Sequence, residues 1–155
     1  MKLRTVLPML AVATFALAAC APKVDYAKFH DLAVKAAEKA KEASFSKVVV
    51  DGYMKDEDGN KETFDKITVK FEKGAYAATS ITHLDEVAVA IMLQALVAEN
   101  IPEADKDEKV TYYAGSTFKV EAEEDGKKSV MEWNDLGLVT SMTGDDSKLT
   151  VKYTK

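Results

Sequence analysis

From Tyr26 onward the apolar positions first recur three and four residues apart. Tyr26, Phe29, Ala33, Ala36, Ala37 and Ala40 stand with Lys and Glu between them, which is one face of a helix. Asp25 precedes them as a candidate N-cap, and Val24 and Phe29 hold the two staple positions that fix how a chain enters a helix. The spacing predicts a helix over about 26–44, with a small alanine face suited to close packing on a sheet. The period then changes. Val48, Val49 and Val50 open a β segment, and Asp56-Glu57-Asp58-Gly59-Asn60 reads as a turn. Phe64 follows, and Ile67, Val69 and Phe71 alternate as a half-buried strand does. Gly74 then turns the chain into a short strand near Tyr76 to Ile81.

A second helical stretch follows, with Thr82 expected as its cap and Asp85 at N3. Between Leu84 and Ala98 it is apolar almost all round. A helix of that kind is normally buried, so its expected place is the core, inside the curve of a sheet. At roughly 16 residues it would span about 24 Å, short of the ~30 Å of a bilayer's hydrocarbon layer. It should end near Asn100, before Pro102.

Beyond an acidic loop, Pro102 to Glu108, short strands are expected at Val110–Tyr113, Phe118–Glu123, Val130–Trp133, Leu138–Met142 and Leu149–Tyr153. Turns separate the last four at Asp125-Gly126, Asp135 to Gly137 and Asp145-Asp146. Turn signals every 8–12 residues favour antiparallel neighbours. The expected fold is α+β: order α-βββ-α-βββββ, a curved antiparallel sheet of about seven to eight strands packed on one or two helices.

The first 24 residues follow neither pattern. Lys2 and Arg4 precede an apolar run from Val6 to Leu17, which describes a secretory signal. The run ends in Leu17-Ala18-Ala19-Cys20, which resembles the lipobox of bacterial lipoproteins. That resemblance implies removal of residues 1–19 and a diacylglyceryl thioether on Cys20. Residues 20–24 would then be a lipidated N-terminus and short tether, and 25–155 a single domain. Each buried methylene contributes about 0.8 kcal/mol, and two chains anchor where one does not. Ala21 after the cysteine resembles cargo sorted to an outer membrane, facing the periplasm. The expected partner is therefore a membrane, reached through the lipid.

Cleaving 19 of 155 residues leaves 136, the size of one ordinary domain. The signal removes two positive charges, moving the formal net charge from −5 to −7. Arg4 is the sole arginine, so the mature chain has none. Nucleic-acid and phosphate binding, which favour arginine forks, are disfavoured, as is docking on anionic headgroups. Cys20 is the sole cysteine, so its lipidation leaves no thiol for a disulfide or a structural zinc site. His30 and His83 lack a second ligand at metal spacing, and no serine sits in a nucleophile elbow. Tested as a calcium loop, Asp56–Asn60 puts Met54 at position 1 and Asp65 at 12, a poor match. No catalytic residue, metal or cofactor is expected.

The aromatic set is more suggestive. Tyr53, Phe64, Phe71, Tyr76, Tyr112, Tyr113, Phe118, Trp133 and Tyr153 fall on expected strands or their edges. With the second helix they suggest an apolar pocket between helix and sheet, for which Val87, Ile91, Met92, Leu96, Tyr112 and Trp133 are the candidate lining; the alternative is that they fill the core. In architecture alone this is similar to Lol-type carriers and mycobacterial lipid-binding lipoproteins. The leading expectation is a non-enzymatic, membrane-anchored envelope lipoprotein that binds an apolar small molecule or a lipidated partner. The alternative is a protein-interaction or assembly module of the envelope, built like helix-on-sheet inhibitors such as cystatins. A carrier should carry a cavity beside residues 84–98; an interaction module, a filled core with an exposed apolar patch or bare sheet edge.

Overall fold

The computed structural model describes residues 21–155; Cys20 and the expected signal segment lie outside the described residues. Nine strands form one antiparallel, open, curved sheet among them. In chain order they are β1 (Lys23–Val24), β2 (Ser44–Lys55), β3 (Lys61–Glu72), β4 (Ala75–Ala78), β5 (Lys109–Ala114), β6 (Phe118–Glu124), β7 (Lys127–Trp133), β8 (Val139–Gly144) and β9 (Ser147–Thr154). Helix α1 (Tyr26–Ala40) precedes β2, and α2 (Leu84–Ala95) with a 3₁₀ turn (Ala98–Asn100) follows β4. Across the sheet the strands lie β1-β5-β6-β7-β8-β9-β2-β3-β4. The α+β class and the element order agree with the sequence reading; the two-residue β1 is the added strand.

Local chemistry explains the elements. The Asp25 carboxylate accepts from the Lys28 amide at 2.8 Å and caps α1. The helix stops at Ala40, four residues before the expected end, and Ser44 already pairs in β2. Lys73-Gly74 and Asp125-Gly126 have positive φ at both positions, the two-residue turn that matches strand twist. Asp56 closes the β2–β3 hairpin, accepting from the Asn60 amide at 2.7 Å and its side chain at 3.0 Å.

The core lies between α1 and the sheet. Phe29, fully buried, meets Tyr112, Phe118 and Trp133 at ring-centroid distances of 5.3, 5.6 and 5.9 Å. Further along α1, Ala36 approaches Gly137 closely: a Cβ built on Gly137 would stand 3.6 Å from that of Ala36 and 3.4 Å from that of Ala98. Residues 21–155 carry one continuous sheet and one hydrophobic core.

The second helix departs from expectation in three ways. Its cap is His83, not Thr82, so Glu86 takes the N3 position expected for Asp85. It ends at Ala95, because Val97 turns extended and the Ala98 amide donates to the Gly137 carbonyl instead. Above all, it is not enclosed by the sheet. It lies along β4 and β3, burying Val89, Ala90 and Leu93, while Leu84 is 77% and Ile91 66% exposed. The Gln94 side chain accepts from the Tyr76 amide at 3.0 Å, covering a donor on an edge strand that would otherwise invite pairing.

A tyrosine pair crosses the inner face. The Tyr153 hydroxyl donates to the Val139 carbonyl, and so accepts from Tyr76; both distances are 2.7 Å. Burial pushes both phenols up from their ordinary 10.0. An acid whose folded pKa is raised leaves stability intact below its unfolded pKa and costs stability as pH rises above it. Unfolding free energy should therefore fall above about pH 10, by up to about 1.4 kcal/mol per pH unit per phenol. Urea titrations at a series of pH values check this, and Tyr153→Phe should flatten the alkaline limb.

Candidate functional site

Strand register builds a transverse row on the inner face. Tyr112 pairs with Val120, Val120 with Met131, Met131 with Met142, and Met142 with Leu149. Leu149 pairs with Gly52, and Gly52 with Phe64. Residues directly opposite in adjacent strands share a face, so one apolar band crosses seven strands. α1 covers the neighbouring row at Phe118 and Trp133 through Phe29. Val120, Met131 and Met142 are left half-buried.

Those three side chains, with Trp133 and Ile101, line an open pocket of about 170 Å³. Its lining is almost wholly apolar. Two hydrogen bonds hold the Ile101 wall: the Tyr26 hydroxyl donates to the Ile101 carbonyl at 2.7 Å, and the Ala104 amide donates to the Tyr112 hydroxyl at 2.9 Å. The Trp133 indole N–H donates to the Leu96 carbonyl at 2.7 Å, so its polar end is satisfied and only its ring faces the pocket. Methionines suit such a wall because the unbranched thioether adapts to different shapes.

The pocket shares Ala122, Ser129 and Ser147 with a polar groove at the end of the sheet. That groove is lined by Glu124, Asp125, Lys127, Lys128, Asp145 and Asp146 among others. Lys127 pairs with Asp146 at 3.1 Å, which holds its ammonium above the ordinary lysine range. An apolar trough thus opens on a charged mouth.

The six residues expected to line a pocket do not converge. Trp133 alone lines this one. Leu96 contributes its carbonyl to the indole, and Tyr112 supports the Ile101 segment from the same row. Val87 and Met92 are half-buried on α2, and Ile91 is turned to solvent, because α2 lies along the sheet edge. Beside residues 84–98 the space is about 100 Å³ and mixed in character, lined by Ala33, Lys41, Gln94, Val97 and Glu99 among others. Val120, Met131 and Met142 escaped the sequence reading because register, not composition, decides which face a strand residue occupies.

The remaining chemistry is sparse. His83 Nδ1 lies 2.6 Å from a Glu86 oxygen. Glu86 also accepts from the Thr79 hydroxyl and amide, and these bonds hold its carboxyl below the usual range. His83 is exposed and the Glu86 carboxyl largely covered. His30 lies 5.7 Å from the Tyr26 ring. Among the described residues no three His, Cys, Asp or Glu side chains gather at metal-binding distance, and no helix is long and apolar enough to cross a membrane. Comparison with protein-family models, with curated proteins and with solved structures gives no match.

Proposed function

We propose that this protein is a membrane-anchored cell-envelope lipoprotein, held through lipidated Cys20, whose inner sheet face binds an amphiphile. The observation that carries the ligand reading is the apolar trough of Val120, Met131, Met142, Trp133 and Ile101 opening on a charged groove. An alkyl chain would lie along the methionine row with its polar end at the mouth. Burying about eight methylenes contributes about 6 kcal/mol, which corresponds to a dissociation constant of tens of micromolar. The anchor reading rests on Leu17-Ala18-Ala19-Cys20. No catalytic step is assigned.

Trp133 is the sole tryptophan and lines the trough, so its fluorescence reports on that site. Residues 21–155 titrated with dodecanoate or a lysophospholipid should show saturable change in Trp133 emission, and native mass spectrometry should find the adduct. Met131→Glu, which puts a charge in the trough, should weaken binding at least ten-fold. A clean apo mass and unaltered emission up to the detergent limit would remove the ligand reading. The anchor is tested separately: the full chain made in a bacterial host should incorporate labelled palmitate, and Cys20→Ala should abolish that. A second reading, an envelope interaction module, is favoured by the exposed apolar side of α2.

A further inference from the structure

α2 carries its uncovered apolar residues in a regular seam. Leu84, Ala88, Ile91 and Ala95 are all exposed, and their spacing of four, three and four is that of a coiled-coil d-a-d-a stripe. Ile81, 87% exposed, lies in the turn three residues before Leu84. The side chains alternate large, small, large, small. Read backwards, the seam is its own complement: in an antiparallel pair centred between Ala88 and Ile91, Leu84 meets the partner's Ala95 and Ala88 meets the partner's Ile91. A two-fold interface requires this self-complementarity. A parallel pair would set leucine on leucine and leave the alanines facing a gap.

Charge favours the same orientation. Asp85 and Glu86 occupy the first turn of α2, and no basic residue occupies its last. Parallel pairing would bring the two acidic turns together. Antiparallel pairing in this register separates them by roughly 10–14 Å along the axis, beyond the ~8 Å Debye length at physiological salt.

We propose that the occupant of this seam is a second copy of the chain, joined through α2 in antiparallel two-fold register. A single 12-residue helix offers less than the ~800 Å² per partner of a standard interface, so the dimer is weak and reversible. The proposal is independent of the ligand reading, since the seam and the trough share no residue.

Sedimentation equilibrium of residues 21–155 from about 10 μM to about 1 mM should show a monomer–dimer equilibrium in that range. Leu84→Glu and Ile91→Lys should each raise the dissociation constant at least ten-fold. Both side chains are mostly exposed, so thermal stability and circular dichroism should stay unchanged. The segment has no native cysteine, so register can be read by oxidation. An Ala88→Cys chain mixed with an Ile91→Cys chain should form the mixed disulfide in preference to either homodimer. Monomer at every concentration would overturn the proposal, as would association untouched by Leu84→Glu or preferential Ala88→Cys homodimers.

Discussion

Phe29→Ala is expected to lower unfolding free energy by about 3–5 kcal/mol, a large share of the ~5–15 kcal/mol that holds a domain of this size. Phe29 has no exposed surface and fills the space between α1 and three strands, meeting Tyr112 of β5, Phe118 of β6 and Trp133 of β7. These strands are antiparallel neighbours locked by their own hydrogen bonds, so they have little freedom to collapse into the cavity. The other buried contacts of α1 come from Ala33, Ala36 and Ala40, which are too small to compensate. The melting temperature should drop by roughly 10–20 °C. Ile91→Ala on the uncovered side of α2 is the control, and should stay within about 0.5 kcal/mol. A Phe29→Ala loss below about 1 kcal/mol would mean that α1 is not pinned to the sheet by this ring.

The elements legible in the sequence were those whose local chemistry agrees with their tertiary setting. Asp25 caps α1 as its position predicts, and Asp125-Gly126 turns β6 into β7. The four strands from Phe118 to Thr154 fall within a few residues of their expected bounds. Misplaced boundaries occur where tertiary bonds overrule good helix formers. Lys41, Glu42 and Ala43 contain no stop signal, yet Ser44 is already paired with Glu72. Nothing at Leu96 or Val97 predicts a break, which the Ala98–Gly137 hydrogen bond imposes.

The candidate site was less legible, for two physical reasons. An all-round apolar helix has no face that marks itself as the buried one. The expectation that α2 lies in the core therefore failed at Leu84 and Ile91, whose exposure follows from its seat along β3 and β4. On the strands, a shift of one residue exchanges the two faces. Met131 and Met142 could not be assigned to the inner face until their pairing was known. Trp133 was identified as one of the aromatic residues on expected strands, and its indole N–H finds an acceptor at the Leu96 carbonyl.

Gly52→Ala should cost at least about 3 kcal/mol, and its effect should centre on one seam of the sheet. β2 joins the two parts of the sheet: on one side it pairs with β9, which leads to β8 through β5 and β1, and on the other with β3, which leads to β4 and α2. Gly52 lies at an irregularity in the β2–β3 register, with φ of +130°, where a non-glycine residue is strained by about 1–3 kcal/mol. Space is the larger obstacle. A Cβ at this position would stand 1.9 Å from the Lys148 carbonyl oxygen and 2.9 Å from the Leu149 Cα. Both are backbone atoms of β9, so the clash is relieved only by parting the two strands. Gly59 gives the matched comparison. It too has positive φ, +82°, but a Cβ there meets nothing within 4 Å, so Gly59→Ala should show backbone strain alone, about 1 kcal/mol. Denaturant titration of the two variants separates steric exclusion from strain, and equal losses would refute close approach at Gly52. Hydrogen exchange adds the location: Gly52→Ala should speed exchange along β2 and β9 first. Leu149 links that seam to the Met142–Met131 row, so Trp133 emission on dodecanoate addition should also change if the trough depends on the sheet holding its curve there.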